Sequence, residues 1–498
     1  MKRRLKKVLI ANRGEIALRI IRTARLMGLA TVAVYSEADA ACAHVAAADE
    51  ARPIGPAEAA KSYLNIAAII CAAQTSGADA IHPGYGFLSE RAEFAQAAAK
   101  AGLTFVGPRP SVMAALGDKI AARAIAGKAG VPIVPGIETA EPAAARKFAA
   151  KAGFPIVVKA AAGGGGRGMR VVADACALDR AIEAAAREAT AAFGDGRLFI
   201  EKYLARPRHV EIQILGDEYG GAIAMGEREC SIQRRHQKII EESPAPGLTD
   251  RTRAKMIEAA IRIARAAGYT GAGTAEFLLD GEDFYFLEVN ARLQVEHPVT
   301  EMRFESDLVR EQFRIAAGEH VTEPPAAHGV AIECRINAEE PEHGFRPATG
   351  TVLHLNVPAG PGVRVDSHLT PGSEVTAYYD GLLGKFICFG NDREEARRRM
   401  VSALDEFSLL GVANNAAYLR DIIASEPFRK AELSTNFIGE FFPDWHPSDM
   451  IVKAALIAAA AGLNRPATVQ SSTGTTIRAG GGNSPWDRMK NFELWRPR

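Results

Sequence analysis

The sequence predicts a multidomain protein of the α/β class. At 498 residues the chain is too long for one compact core, so two to four subdomains are expected, with room to bury large clefts. Two patterns support this class. The chain begins with alternating strand and helix patterns, and a glycine-rich run farther along lies between two apolar, β-branched segments.

Composition narrows the possible partners and the compartment. Lys and Arg number 60 against 59 Asp and Glu, a formal net charge of +1, so we expect neither nucleic acid nor a membrane surface as a partner. The six cysteines include no C-x-x-C pair, and neither a disulfide framework nor a zinc site is predicted. A reducing cytoplasm fits this usage best. No apolar run approaches the length of a transmembrane helix.

The first 117 residues read as one α/β domain. A strand from Val8 to Ala11 is followed by the polar turn "NRGE", a helical pattern through Met27 and the strand "ATVAVYSEAD". Farther on, "DAIHPGYGFLSE" places a glycine turn directly after a strand. An open parallel sheet presents its binding crevice at such a position.

The stretch "FPIVVKAAAGGGGRGMRVVAD" contains the spacing Gly163-x-Gly165-x-x-Gly168. Residues on both sides read as strands, so we interpret the glycines as the loop of a hairpin. A dinucleotide fingerprint must open a helix, and a Walker loop ends in Gly-Lys-Ser/Thr, so both are disfavoured. A flexible hairpin over a nucleotide remains open at this point.

Three further segments follow the first 117 residues. Residues 118–335 form the next segment, in which 131–203 read as a small α+β unit that resembles a lid and 204–335 carry the densest charged motifs. Residues 336–446 show short strand patterns punctuated by glycine and proline. Residues 447–498 read as a probable helix, Met450 to Leu463, followed by a linker rich in Thr, Gly and Ser.

The segment "GTAEFLLDGEDFYFLEVNARLQVEHPVTE" predicts a β-hairpin with its turn at Asp280 to Asp283. One register makes one face wholly apolar by pairing Ala275 with Val289, Phe277 with Leu287, and Leu279 with Tyr285. The other face then carries Glu276, Leu278, Phe286, Glu288 and Asn290. Two clustered carboxylates and an amide oxygen suit magnesium. A half-exposed hairpin with solvated acids is the equally weighted alternative.

Two neighbouring motifs contain candidate reactive groups. Arg292, Gln294 and Glu296 occur in a probable loop, where a guanidinium beside a carboxylate could hold a small planar anion and deprotonate it. A structural salt bridge is the favoured alternative without further context. In "RRHQK" the basic residues lie between acidic flanks, which argues against a nucleic-acid patch. Cys230, with no base paired to it in the sequence, is interpreted as a packing residue.

Taken together, these segments resemble biotin carboxylase, a member of the ATP-grasp superfamily, from about Val8 to Phe442. The motifs occur in the family's order: "IANRGEIALRI", "IHPGYGFLSE", "GDK", "GGGGRGM", "EKYLARPRHVEIQ", "RECSIQRRHQK", "GTAEFL", "FLEVNARLQVEHPVTE" and "ECRINAE". The resemblance implies a Rossmann-like pre-ATP-grasp domain, an ATP-grasp domain with a glycine-rich lid, and a C-terminal α+β domain. It also implies ATP-dependent carboxylation of biotin through carboxyphosphate, the first half-reaction of a biotin-dependent acyl-CoA carboxylase.

The resemblance also assigns residues position by position. ATP would contact Lys119, Lys159, Gly163, Gly164, Gly165, Gly166, Gly168, Glu201, Lys202, Tyr203, Leu204, His209, Gln233, His236, Glu276, Leu278 and Glu288. Magnesium or manganese would be held by Glu276, Glu288 and Asn290. Bicarbonate would be held by Lys238, Arg292, Gln294 and Val295 and deprotonated by Glu296. The catalytic set is then Glu296, Arg292, Lys238 and Arg335, and biotin would lie against Arg335, Tyr85 and Gly86.

Some positions depart from the family pattern. Ala161-Ala162 stands where Ser-Gly is usual, which removes a hydroxyl and stiffens one hinge of the lid. Phe304-Glu305 stands where Thr-Gly is expected, so the packing there cannot be carried over. Lys490 lacks the Ala-Met-Lys-Met context of a biotinylation site. We therefore expect a separate biotin carboxyl carrier protein, a carboxyltransferase subunit and a homodimer, with Trp486, Phe492 and Trp495 as a docking strip or a disordered tail.

Three other functions were weighed against this one. The same fold supports ligases that form other acylphosphates, such as carbamoyl-phosphate or amino-acid ligases, and "RRHQK" and "NARLQVEHP" favour the biotin branch. A nicotinamide-dependent oxidoreductase would need a glycine fingerprint, whereas the first turn reads "ANRGEIA". A catalytically inert interaction subunit is disfavoured by the intact charged motifs.

Overall fold

A computed structural model describes residues 4–160, 170–193, 196–235 and 237–448. Residues Met1–His446 form one unit and Pro447–Arg498 a second. The glycine run, His236, the pair Ala161-Ala162, the expected helix from Met450, Lys490 and the three tail aromatics lie outside the described residues. Among the described helices, none combines the length and apolarity needed to cross a membrane.

The N-terminal segment forms a five-stranded parallel sheet in the order β3-β2-β1-β4-β5. The predicted strand, helix and strand at its start are confirmed. Its elements are β1 Lys7–Ile10, α1 Gly14–Leu26, β2 Ala30–Ser36, α2 Ala43–Ala47, β3 Glu50–Gly55, α3 Ile66–Thr75, β4 Ala80–His82, α4 Ala92–Lys100, β5 Thr104–Phe105 and α5 Pro110–Gly117.

The next segment is a small α+β unit with an antiparallel sheet in the order β6-β9-β7-β8. Its elements are α6 Lys119–Lys128, β6 Gly136–Glu138, α7 Pro142–Ala152, β7 Ile156–Ala160, β8 Arg170–Val172, α8 Ala175–Phe193 and β9 Leu198–Lys202. Strands β7 and β8 pair in antiparallel fashion, with Ile156 opposite Val172. This confirms that the strands on either side of the glycine run form a hairpin.

An eight-stranded antiparallel sheet forms the centre of the chain, in the order β14-β13-β10-β11-β12-β15-β22-β20. The predicted boundary after residue 335 falls within β15, so one sheet continues across it. The elements up to that strand are β10 Arg208–Gly216, β11 Ala222–Arg234, β12 Gln237–Ser243, α9 Asp250–Ala267, β13 Gly271–Asp280, β14 Asp283–Asn290, α10 His297–Phe304, α11 Leu308–Ala316 and β15 Val330–Asn337.

The remaining elements complete this sheet and pack beside it. They are β16 Glu339–Glu340, β17 Arg346–Pro347, β18 Gly350–Thr351, β19 His354–Asn356, β20 Val363–Ser367, β21 Glu374–Val375, β22 Leu382–Gly390, α12 Arg393–Glu406, β23 Ser408–Leu410, α13 Ala416–Ala424, α14 Glu426–Arg429 and α15 Phe437–Phe441. Helix α12 begins where the Asp392 side chain accepts a hydrogen bond from Glu395 N. The many short strands agree with the predicted glycine and proline punctuation.

The hairpin of β13 and β14 brings the two predicted carboxylates together. Ala275 pairs with Val289 and Glu276 with Glu288, as the apolar pattern predicted. Glu276 and Glu288 are therefore cross-strand neighbours on one face of the sheet.

Beyond this pair the predicted register is wrong. A β-bulge between Glu276 and Phe277 pairs Phe277 with Phe286 and Leu279 with Phe284, where Leu287 and Tyr285 were expected. Phe284 and Phe286 therefore enter the core, with ring centroids 5.5 and 6.3 Å from that of Phe277. Burying two more aromatic rings compensates for the ladder hydrogen bonds disrupted at the bulge.

The unusual pair Phe304-Glu305 ends helix α10. Glu305 adopts the left-handed conformation with φ 46°, which glycine adopts without strain. Phe304 is buried beside Gly226, where a Cβ added to Gly226 would lie 3.1 Å from the phenyl ring. The chain therefore keeps the turn geometry without a glycine and fills the adjacent space with an aromatic side chain.

Candidate active site

Strand alternation separates a charged face of the large sheet from its core. On β10, Val210, Ile212 and Ile214 are core residues, whereas His209 and Glu211 point to the opposite face. Polar positions of the neighbouring strands converge on the same surface, although Lys238 and Glu241 on β12 lie three positions apart where the β11–β12 ladder is irregular. The residues on this surface include Arg228, Lys238, Glu241, Glu276, Glu333, Arg335 and Lys385.

Lys238 is the centre of this charged surface. Its Nζ lies 2.5 Å from Glu211, 2.8 Å from Glu276 and 2.7 Å from Glu296. Burial alone would lower the pKa of Lys238, but the three carboxylates outweigh burial and raise that pKa well above its ordinary value. The ammonium group is therefore firmly charged and ties three strands and a loop together.

Glu296 lies in the loop just before α10 and is fully buried. Its second oxygen accepts a hydrogen bond of 2.9 Å from Arg335, whose Nε donates to Glu241 at 2.6 Å. Burial alone would raise the pKa of Glu296, but Lys238 and Arg335 hold it well below its ordinary value. Glu296 is consequently an ionised carboxylate although it has no exposed surface.

Glu276 and Glu288 offer the donors that a divalent cation needs. Glu276 Oε1 accepts hydrogen bonds from Asn290 at 2.8 Å and Gln294 at 3.0 Å, and its Oε2 lies 3.0 Å from His209. Burial, followed by the charge of Glu276, raises the pKa of Glu288. Two facing carboxylates in a largely buried place repel each other, and a divalent cation between them would neutralise that repulsion.

Three predicted anion-binding residues form one loop after β14. Arg292 Nε lies 3.0 Å from Glu90, and its Nη2 donates to Asn290 at 3.0 Å. The carbonyl of Val295 accepts a hydrogen bond of 2.9 Å from Lys385. The cations that contact Glu296 in this arrangement are thus Lys238 and Arg335, while Arg292 is anchored to Glu90.

The predicted nucleotide residues lie in two places. Gln233 donates a hydrogen bond of 2.7 Å to His209, which lies on the charged surface. Leu278 pairs with His209 across β10 and β13, so all three residues lie at or beside that surface. A cavity of about 430 Å³ lies beside Gln233 and is also lined by Thr435 and Asn436. A space of this size accepts a small organic ligand.

The other predicted nucleotide residues belong to the lid sheet. Glu201 binds both Lys159 and Arg123 at 2.5 Å, which joins β7, β9 and α6. Lys202 is exposed at the end of β9, and Tyr203 and Leu204 follow it. Lys119 is the first residue of α6, directly after the Asp118 cap.

The residues predicted to line the biotin pocket, Tyr85 and Gly86, belong to the N-terminal domain. The Tyr85 hydroxyl donates a short hydrogen bond to Glu15, and Lys385 Nζ lies 5.8 Å from the centre of the Tyr85 ring. Gly86 has φ 69°, a conformation that suits glycine. Tyr85 and Gly86 line a cavity of about 90 Å³ together with Asp380.

Sequence reasoning missed several charged residues of the site. Glu211 is the clearest, because it follows His209 by two positions and period-2 alternation places both on one face. Arg228 lies opposite Glu211 and is fully buried, donating to Glu211, Gln213 and Thr300. No sequence signal distinguishes Arg228 from an ordinary surface arginine. The interpretation of Cys230 as a packing residue agrees with its complete burial.

Comparison with family models gives three consecutive matches. Residues 4–113 match the biotin carboxylase N-terminal domain, residues 118–324 the ATP-binding domain of the carbamoyl-phosphate synthase L chain, and residues 333–440 the biotin carboxylase C-terminal domain. This order of domains confirms the fold class predicted from the sequence.

Individual relatives agree with the family models. A biotin carboxylase of Pseudomonas aeruginosa is 49% identical over 440 residues, 87% of this chain and 98% of that protein. The human mitochondrial propionyl-CoA carboxylase alpha chain is 46% identical over 458 residues, 90% of this chain and 63% of that protein.

Solved structures show the same similarity in three dimensions. The crystal structure of a Campylobacter jejuni biotin carboxylase–β,γ-ATP complex has a TM-score of 0.84 at 45% identity, covering 88% of this chain and 99% of that one. A Hydrogenobacter thermophilus 2-oxoglutarate carboxylase biotin carboxylase domain dimer, in complex with MgADP, ADP and bicarbonate, has a TM-score of 0.84 at 43% identity. It covers 89% of this chain and 99% of that one.

Proposed function

The chain belongs to the biotin carboxylase family of ATP-dependent ligases, and we propose that Glu296, Lys238 and Arg335 form the centre at which it carboxylates biotin. The observation that carries this proposal is a fully buried, ionised carboxylate held between two cations, 2.7 Å from Lys238 and 2.9 Å from Arg335. Such a group can take a proton, and the cations beside it can hold an anion.

Glu296 acts as the base of the first step. It removes the proton from the hydroxyl of bicarbonate, that oxygen attacks the γ-phosphorus of ATP, and ADP leaves to give carboxyphosphate. In the arrangement described here both cations are directed at Glu296. An incoming anion competes for Lys238 and Arg335, which weakens their hold on Glu296 and raises its pKa towards the working range of a base.

The loop after β14 holds the bicarbonate. Arg292 supplies a planar guanidinium that Glu90 and Asn290 keep in place. Gln294 and the backbone of Val295 complete the anion-binding loop. Lys385 holds that backbone in place through its hydrogen bond to the Val295 carbonyl. Because the supporting contacts are buried, the anion would meet donors that are already oriented.

Glu276, Glu288 and Asn290 are the residues that would hold Mg²⁺ or Mn²⁺. When bound, the cation neutralises charge on the phosphate chain of ATP. Asn290 and Gln294 orient Glu276 through the hydrogen bonds to its Oε1. This support keeps one carboxylate fixed while Glu288 faces it across the hairpin.

The remaining nucleotide contacts divide between the sheet and the lid. We assign the phosphates to Lys119, Lys159 and the glycine loop 163–168, and the adenine edge to the segment Glu201–Leu204. His209, Gln233, His236 and Leu278 would line the pocket from the sheet. The ion pair between Glu201 and Lys159 joins β9 to β7 within the lid, which supports a lid that moves as one body.

Biotin takes part in the second step. Carboxyphosphate breaks down to carbon dioxide and phosphate, the released phosphate takes the proton from the ureido nitrogen of biotin, and the resulting enolate form of biotin attacks the carbon of carbon dioxide through that nitrogen. Arg335 stabilises the developing negative charge, and Tyr85 and Gly86 form the wall of the pocket.

The partners are part of the same proposal. Biotin is presented by a biotin carboxyl carrier protein, and a carboxyltransferase subunit consumes the product. The related Hydrogenobacter domain forms a dimer, which supports a homodimer here. The six free cysteines support a cytoplasmic setting.

The direct test measures ADP formation with and without bicarbonate and free biotin. We expect ATP hydrolysis to require bicarbonate and to be stimulated by biotin. In an Arg335→Met variant bicarbonate-dependent hydrolysis should persist while the stimulation by biotin is lost. Hydrolysis that ignores biotin in the unaltered enzyme would instead indicate another acylphosphate-forming ligase.

A further inference from the structure

Glu333 is a buried carboxyl group behind the proposed centre. It lies in the middle of β15 and has no exposed surface. Among the described residues neither of its oxygens has a hydrogen-bond partner. A fully buried, ionised carboxylate without a partner is unfavourable by many kcal/mol, so proteins avoid it by pairing or by protonation.

Pairing with a cation does not account for Glu333. Lys385 is the cation on the neighbouring strand β22, but its ammonium donates to Val295 O at 2.9 Å and lies 3.3 Å from Glu15. Arg335 follows Glu333 by two positions on the same face, and its guanidinium is directed at other carboxylates. Within the described ranges Glu333 forms no ion pair.

The group directly opposite Glu333 is Glu241. The two residues pair in register across β12 and β15. Arg335 Nε donates a hydrogen bond to Glu241 Oε1 at 2.6 Å, and Arg335 Nη2 lies 2.5 Å from the same oxygen. Glu241 Oε2 is buried and, among the described residues, has no hydrogen-bond partner. Two cross-strand carboxyl groups thus have three buried oxygens that lack a donor, and one proton between them supplies it.

We propose that Glu333 is a neutral carboxylic acid whose O–H donates a hydrogen bond to Glu241 Oε2 and so positions Arg335. The assignment rests on the proposed function, because Glu333 acts on the proposed base Glu296 only through two intervening residues. Glu333 holds Glu241, Glu241 holds Arg335, and Arg335 contacts the base Glu296. Glu333 is a positioning residue and touches no substrate.

The electrostatic surroundings agree with this geometry. Burial raises the pKa of Glu333 well above its ordinary value. Lys385 and Arg335 lower that pKa, whereas the negative charges of Glu241 and Glu296 raise it further. Burial also raises the pKa of Glu241, to about 7, against the pull of Arg335. Both groups therefore favour sharing a proton.

Two substitutions separate the neutral acid from an ionised one. Glu333→Gln keeps a donor of similar shape without charge, so biotin-stimulated turnover should stay within about twofold of the unaltered enzyme, with the same pH profile. Glu333→Leu removes the donor, and kcat should fall about tenfold or more with the KM for ATP unchanged. Glu282→Gln, at the exposed tip of the β13–β14 turn, is the matched control.

Infrared difference spectroscopy provides a readout that does not depend on turnover. The unaltered enzyme at pH 7 should show the carbonyl stretch of a protonated carboxylic acid that Glu333→Gln lacks and Glu282→Gln retains. Absence of that band would overturn the proposal, as would a Glu333→Gln enzyme impaired as strongly as Glu333→Leu. If Glu333→Leu does not fold, the band and the Glu333→Gln kinetics still decide. A protein with the band but without biotin-stimulated turnover would refute the proposed function alone.

Discussion

Replacing Glu296 by glutamine should separate chemistry from folding. Glu296→Gln keeps the shape of the side chain and removes both its charge and its capacity to accept a proton. Because a positioned base commonly contributes a factor of 10² or more, bicarbonate-dependent turnover should fall by roughly 10²-fold or more. ATP binding should persist, since Glu296 is not among the residues assigned to the nucleotide.

The structure also predicts how little the protein should be destabilised. The cluster joined by lysine and arginine ion pairs contains three cations and four carboxylates: Lys238, Arg228, Arg335, Glu211, Glu241, Glu276 and Glu296. Removing one negative charge leaves three of each sign. Lys238 keeps Glu211 and Glu276, and Arg335 keeps Glu241, so no buried cation loses its last partner. We expect the loss in the free energy of unfolding to stay below the roughly 3–5 kcal/mol typical of a broken buried pair, because each cation keeps another carboxylate.

The assay combines three measurements on Glu296→Gln and on the control Glu282→Gln. They are bicarbonate-dependent ADP formation, the affinity for an ATP analogue, and the midpoint of urea unfolding. Turnover equal to that of the control would mean that Glu296 is structural. A loss of several kcal/mol would contradict the charge count, because it would mean that a buried cation had been left unpaired.

Three further predictions concern other parts of the chain. Glu288→Gln should weaken Mg²⁺ binding by removing one of two facing carboxylates, and the Mg²⁺ concentration at half-maximal ADP formation should rise; an unchanged Mg²⁺ dependence would contradict the ligand assignment. Burial alone would raise the pKa of Asp39, but the Arg13 guanidinium holds it at about 2 instead of 3.8. Asp39 therefore contributes about 2 kcal/mol of stability above pH 3.8, lost as the pH falls towards 2, and Asp39→Asn should destabilise the protein in urea at pH 7 by at least this amount. Glu305→Gly should increase the free energy of unfolding by about 1 kcal/mol, because glycine adopts φ 46° without strain. The midpoint of urea unfolding should rise accordingly, and a lower midpoint would show that the left-handed conformation is not strained.

Local patterns determined much of the fold. The strand and helix at the start of the chain follow from hydrophobic periodicity and a polar turn, which are short-range signals. The pairing of Glu276 with Glu288 follows from keeping one face of a hairpin apolar, a constraint that is also readable from the sequence. The register beyond that pair was not readable, because the bulge is selected by how Phe284 and Phe286 pack in the core.

The charged centre shows the same division. The sequence by itself marked Lys238, Glu276, Glu296 and Arg335 as a family set, and it could mark Glu211 through period-2 alternation. Only the tertiary structure decided that Lys238 binds three carboxylates at once and that Glu333 faces Glu241 with no hydrogen-bond donor for either of its oxygens among the described residues. These contacts join residues that lie 27 to 92 positions apart along the chain. Local sequence fixes which face of a strand a side chain occupies, whereas the pairing of distant strands sets which charges meet and how deeply they are buried.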